Sequence, residues 1–233
     1  MSELIVALDG MTPDKALQVA SDLSHLQTNG LWGFKIGHSL TFAGVEWVAE
    51  LKKLGKVFVD LKLYDIPNTV ENAVVWLSNL NVDLATVHLS MGRSTLEKIS
   101  DKGVGILGVS LLTSAIPDEC KRIYGGSPAE TLHKLFREAR ETGITGVVCS
   151  PKDLHLLDQI DPEKTLLRVC PGIRGLKDDT GDQKRTMASA EAVSDGAKLL
   201  VVGRPIVGRM DYLNAARHIL NEISLTNQGI ADM

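Results

Sequence analysis

Basic residues are nowhere concentrated in this chain, whose 233 residues carry 25 Lys and Arg against 29 Asp and Glu for a formal net charge of -4. A nucleic-acid surface needs clustered cations, so that class of partner is argued against. Aromatic residues are few as well, with three Trp, three Tyr and four Phe. Cysteine is scarcer still: Cys120, Cys149 and Cys170 are odd in number and match no zinc spacing. They read as reduced, mostly buried thiols of a cytoplasmic protein. No apolar run approaches the ~18 residues of a membrane span, and no leader precedes the first apolar segment, so a soluble protein with no membrane partner is expected. Also missing are low-complexity segments, Ser-His-Asp or Cys-His constellations, and the glycine fingerprint of a dinucleotide fold after the first strand.

What is present is a regular alternation. Leu4 to Leu8 is a short apolar strand that ends in Asp9-Gly10, and Thr12-Pro13 then reads as a helix N-cap followed by proline at the first helical position. Ala16, Val19, Ala20 and Leu23 recur at helical spacing. Further strands are expected at 31–37, 57–61, 84–89, 105–111, 146–149, 166–169 and 199–202, each followed by helix-like sequence such as 39–54 and 69–80. Ser127-Pro128-Ala129-Glu130 has the capping-box pattern, with Leu132, Leu135, Phe136 and Ala139 as an apolar face. Eight βα units in a chain of this length predict one α/β domain over 1–233, a closed (β/α)8 TIM barrel, with 225–233 as a loosely ordered tail.

The third strand breaks the apolar pattern. Side chains on a strand alternate faces, so Asp60 and Lys62 share one face while Val57, Val59 and Leu61 fall on the other. Pro67 ends the strand and leaves Asp65 on the turn beyond it, giving acid, base, acid within six residues. A solvated strand end is the plain reading. The carboxyl ends of strands in parallel α/β proteins are, however, where chemistry is built. A lysine held between two carboxylates is kept as the ammonium, which suits a proton donor and not a Schiff-base amine.

Other candidates surround this stretch. Lys35 lies inside an otherwise apolar strand and is either a cation snorkelling to the barrel rim or a charge placed for chemistry. His88, alone on an apolar run, reads as a hydrogen-bonded core residue and not as a ligand. A metal site is disfavoured, because Lys35 and Lys62 compete for the carboxylates of Asp9, Asp60 and Asp65. Leu112 to Gly126 is a long connection, either a cover for the barrel mouth or an ordinary surface loop. Arg174 to Arg185 is rich in glycine and charge and lies on the same face. After strand eight, Gly203 and Arg204 occupy a position where barrels often bind phosphate through backbone N–H groups, and Arg204 adds a bidentate grip. A merely solvated arginine is the alternative.

Together these residues give the chain a resemblance to the orotidine 5'-monophosphate decarboxylase family. It rests on Leu8-Asp9, Phe34-Lys35-Ile36-Gly37, Asp60-Leu61-Lys62 through Asp65-Ile66-Pro67-Asn68-Thr69, Pro171-Gly172-Ile173-Arg174, Asp182-Gln183-Lys184-Arg185 and Gly203-Arg204-Pro205-Ile206. The resemblance implies cofactor-free and metal-free decarboxylation of orotidine 5'-monophosphate to uridine 5'-monophosphate in pyrimidine synthesis. In that scheme Lys62 protonates the C6 carbanion, Asp60 lies near the departing carboxylate, and Lys35 and Asp65 complete an alternating charge array. Asp9 and Lys35 contact the ribose, Thr113 approaches the base, and Gln183, Gly203 and Arg204 hold the phosphate. Pro171 to Arg174 shape the pocket. The resemblance further implies a homodimer in which Asp65 and Thr69 reach into the neighbouring site.

Related sugar-phosphate enzymes, the 3-keto-gulonate 6-phosphate decarboxylases and hexulose 6-phosphate synthases, share the strand-three signature and use magnesium. They place a glutamate where this chain has Lys35, which argues against them. A catalytically silent phosphate-binding barrel would be expected to lack one of the charges, and none is missing.

Overall fold

The computed structural model describes residues 1–38, 43–112, 116–174 and 186–232. Eight parallel strands close in sequence order into a barrel: β1 (Glu3–Ala7), β2 (Leu31–Ile36), β3 (Lys56–Leu63), β4 (Leu84–His88), β5 (Gly105–Val109), β6 (Gly146–Val148), β7 (Leu167–Cys170) and β8 (Leu199–Val202). β8 pairs with β1 through Glu3 opposite Leu199 to Val6 opposite Val202, and this pairing closes the ring.

Strand periodicity sorts the core into two layers. Ile5, Ala7, Phe58, Leu84, Leu107, Val169, Leu199 and Val201 meet inside the barrel. Their neighbours Leu4, Val6, Val57, Val59, Leu200 and Val202 point outward into the layer beneath the helices. Both faces of each strand are therefore buried, which explains why the strands read as continuous apolar runs. Each buried Val, Leu, Ile or Phe among them contributes about 1.5–3 kcal/mol by leaving water.

Helices whose full extent is described are α1 (Pro13–Leu23), α2 (Val45–Lys52), α3 (Pro67–Asn79), α4 (Arg93–Ile99), α5 (Pro117–Tyr124), α6 (Pro128–Glu141), α7 (Leu154–Ile160), α8 (Ser189–Ser194), α9 (Arg204–Val207) and α10 (Tyr212–Ala231). Thr12 caps α1 by accepting from the Lys15 amide, and Ser127 and Glu130 form the reciprocal capping box on α6. Ala16, Val19, Ala20 and Leu23 are the buried stripe of α1, as their spacing predicts.

Several boundaries differ from the sequence expectation. In the described part the helix expected over 39–54 is interrupted: Ala43 is helical, but Gly44, at φ 86°, takes a conformation that breaks helical continuity before Val45–Lys52. α3 starts at Pro67 and not at Thr69, since proline is pre-set for the first helical position. The connection after β5 contains α5, which ends at Gly125 with φ 74°. The segment expected to be a loose tail is helical to Ala231, because α10 packs against the barrel wall. There Asn227 accepts from the Ser2 amide at 2.9 Å and donates to the Ser2 carbonyl at 3.0 Å, fastening the end of the chain to its beginning.

Candidate active site

At the carboxyl ends of the strands the barrel opens into a cavity of about 800 Å³. Its floor is apolar and comes from the top layer of the lumen: Ala7, Phe58, Val148 and Val201. Pro171 and Val207 add apolar wall. Charge enters from the strand ends, with Asp9 after β1, Lys35 on β2, Asp60 and Lys62 on β3, Arg174 after β7 and Arg204 at the start of α9.

Four of these groups form a continuous chain of alternating sign. Lys35 Nζ lies 2.5 Å from Asp9 Oδ2 and 3.2 Å from Asp60 Oδ2, and Lys62 Nζ lies 2.8 Å from the same Asp60 oxygen. Lys35 is only 8% exposed, so it is not a cation snorkelling to the rim. Burial alone disfavours its charge, but Asp60 and Asp9 outweigh that and hold it above the ordinary lysine range. Asp60 is likewise penalised by burial, yet Lys35 and then Lys62 hold its carboxyl below the usual carboxylate range. Gly37 makes room for the array: a Cβ there would come within 2.7 Å of Asp9 Oδ1.

The acid-base-acid stretch is therefore not a local triad within one chain. Asp60, not Lys62, sits between two opposite charges. Asp65 is exposed on the turn after β3, where its Oδ1 accepts from the Ile66 amide at 2.7 Å. Thr69, in the first turn of α3, is also exposed, and neither residue lines the cavity of its own chain.

Arg174 is buried, and its Nη1 donates to the Ile173 carbonyl at 2.8 Å. Ile173 bridges to Met187, whose backbone also bonds to Gly172 and Arg174, so the described residues on either side of 175–185 are held together. Gly203 and Arg204 both line the cavity. Thr113 and Gln183 lie outside the described residues.

His88 differs from its expected role as a hydrogen-bonded core residue. It is half-buried at the end of β4, and its ring meets Tyr64 edge-on at 5.8 Å. Burial, reinforced by the nearby Lys62, pushes its pKa down.

Sequence reasoning passed over His38, Phe58, Val148, Val201 and Val207, all of which line the cavity. Phe58 could have been found, because it precedes Asp60 by two residues on one strand face. Val201 stands in the same relation to Gly203. His38 carries no comparable signal.

The chain is similar to known proteins along most of its length. Residues 2–219 match the family model described as orotidine 5'-phosphate decarboxylase / HUMPS family. The chain is 36% identical over 229 residues to an orotidine 5'-phosphate decarboxylase of Nautilia profundicola, covering 95% of this chain and 98% of that one. It is 38% identical over 224 residues to one from Sphingopyxis alaskensis, at 94% and 97% coverage. Among solved structures, orotidine 5'-phosphate decarboxylase from Lactobacillus acidophilus superimposes with a TM-score of 0.80 at 29% identity, over 96% of this chain and 99% of that one. A match of this extent, on a barrel that carries its charges at the expected strand ends, means that the chain belongs to the orotidine 5'-phosphate decarboxylase / HUMPS family.

Proposed function

We propose that this protein decarboxylates orotidine 5'-monophosphate to uridine 5'-monophosphate without a metal or organic cofactor. The observation that carries the reading is the alternating array Asp9, Lys35, Asp60, Lys62 set over an apolar floor in a family cavity. When the C6–carboxylate bond breaks, its electron pair stays on a ring carbon with no adjacent carbonyl to accept it. Such a carbanion needs a cation aimed at the place where charge develops. In this reading the Lys62 ammonium stabilises that charge and then transfers a proton from Nζ to C6, while carbon dioxide departs.

Asp60 is held ionised by both lysines and fixes their heads. In this scheme the flat pyrimidine lies against Phe58, Val148 and Val201, Asp9 and Lys35 take the ribose hydroxyls, and Arg204, with Gly203 and Gln183, takes the phosphate. Arg174 supports the wall, and Thr113 faces the base. The two ammonium groups also occupy the carboxylate oxygens that a divalent cation would need.

We further infer a homodimer with shared sites. Asp65 stands outside its own cavity, flanked by Tyr64 and Ile66, which are 63% and 67% exposed. Trp76 on α3 is 65% exposed. Exposed apolar side chains beside Asp65 and on the helix that follows it suit a surface that a second copy covers, bringing Asp65 and Thr69 to the neighbouring array.

Orotidine 5'-monophosphate should be consumed, as followed by its ultraviolet absorbance, at a rate unchanged by a strong chelator. Loss of turnover on chelation, restored by magnesium, would support a sugar-phosphate enzyme of the same family instead.

A further inference from the structure

β3 and β4 fall out of register beside the charge array. Val59 pairs with Ala85 and Leu63 with Val87, so Asp60, Leu61 and Lys62 face Thr86 alone. A strand with surplus residues opposite one partner must bulge, and the surplus amides lose their ladder acceptors. Lys62 sits within this bulge at φ 51°, a left-handed conformation that costs a side-chain-bearing residue about 1 kcal/mol. Such a conformation persists only where the surroundings hold it.

Thr86 supplies the hold. It is 0% exposed, and its Oγ1 accepts from the Lys62 amide at 2.8 Å and donates to Asp60 Oδ1 at 2.9 Å. The directions are forced: a backbone N–H can only donate, which leaves the hydroxyl hydrogen for a carboxylate that can only accept. Asp60 then has one oxygen on Thr86 and the other on the two lysines. A β-branched residue has few rotamers, and complete burial removes the alternatives, so the hydroxyl is a fixed point.

We propose that Thr86 is a positioning residue whose single hydroxyl locks the left-handed backbone of Lys62 and the carboxylate of Asp60, so that the lysine head is aimed before substrate arrives. This deepens the decarboxylase reading and rests on it for its kinetic consequence. The geometric part stands without it.

The test compares Thr86→Val, which keeps the shape and deletes both hydrogen bonds, with Thr86→Ser, which keeps them. For orotidine 5'-monophosphate, Thr86→Val should lower kcat by about ten- to hundred-fold, the range for a hydrogen bond to a charged group, with KM changed little. Thr86→Ser should recover most of that loss. In parallel, the backbone amide of Lys62 should exchange with solvent faster in Thr86→Val and regain protection in Thr86→Ser.

Equal turnover of Thr86→Val and wild type would overturn the proposal. So would a Thr86→Ser variant as impaired as Thr86→Val, or unchanged exchange at Lys62. If Thr86→Val does not fold, Thr86→Ala against Thr86→Ser gives the same comparison. If the wild-type protein does not turn over the substrate, the decarboxylase reading fails, and amide exchange at Lys62 still decides whether Thr86 holds the bulge.

Discussion

At the scale of the residue, Asp60 is the centre of the site, because two ammonium groups and one hydroxyl converge on its carboxylate. Its folded-state pKa is lowered, so its contribution to stability is present above the unfolded value of about 3.9 and is lost as pH falls through the folded value. Lys35 has the opposite sign. Its pKa is raised, so its contribution is complete below about 10.4 and is lost as pH rises through the higher folded value. A broad plateau of stability between these limits is expected. In Lys35→Met, Asp60 keeps the burial and loses its strongest opposing charge, so acid unfolding should begin at higher pH and the alkaline loss due to Lys35 should vanish. Denaturant titrations at a series of pH values check both limbs, and an acid midpoint identical to wild type would contradict the role given to Lys35.

At the scale of the element, β3 has two tasks that conflict. Its first half fills the lumen and the helix layer, with Phe58 inward and Val57 and Val59 outward. Its second half must present Asp60 and Lys62, and it does so by slipping register against β4. Gly37, directly after the neighbouring β2, serves the same site, because the absence of a Cβ there admits the Asp9 carboxylate. Gly37→Ala should displace that carboxylate from Lys35 while leaving the barrel intact, because the atom met is the end of a side chain and not backbone. Within the proposed function this means a KM raised several-fold, with melting temperature nearly unchanged. A variant of full affinity would remove Asp9 from ribose binding. A collapse in stability would instead show that the Gly37 backbone is what the site depends on.

At the scale of the whole molecule, the proposal of sites shared across a dimer starts from Asp65, which is exposed and does not line the cavity of its own chain. Lys62→Ala and Asp65→Ala should each be nearly inactive as pure dimers. When subunits of the two exchange freely at equal concentration, about half of the dimers are mixed. Each mixed dimer has one site with both lesions and one with none, so activity should return to about one quarter of wild type. No recovery, with exchange established by a tag on one variant, would place Asp65 at the service of its own chain.

The eight strands, the caps at Thr12 and Ser127 and the charged residues of the site were legible in the sequence because their signals are local. Strand faces repeat every two residues, helix faces every three or four, and an acid or lysine in an apolar run is conspicuous where it stands. Even the partial misreadings were local competitions, such as Gly44 cutting a helix that apolar spacing would have continued. Family likeness supplied roles for residues whose surroundings no spacing reveals. Tertiary structure decided the rest, because it depends on pairing between distant segments. Only closure of β8 on β1 brings Arg204 to the cavity that holds Lys35, and only the register of β3 on β4 sets Thr86 against Lys62. A threonine in the run Leu-Ala-Thr-Val-His looks like any polar residue on a strand. Its importance comes from the residues it opposes, and that partnership follows from a bulge whose energy is settled by packing across the barrel and not by the order of residues along either strand.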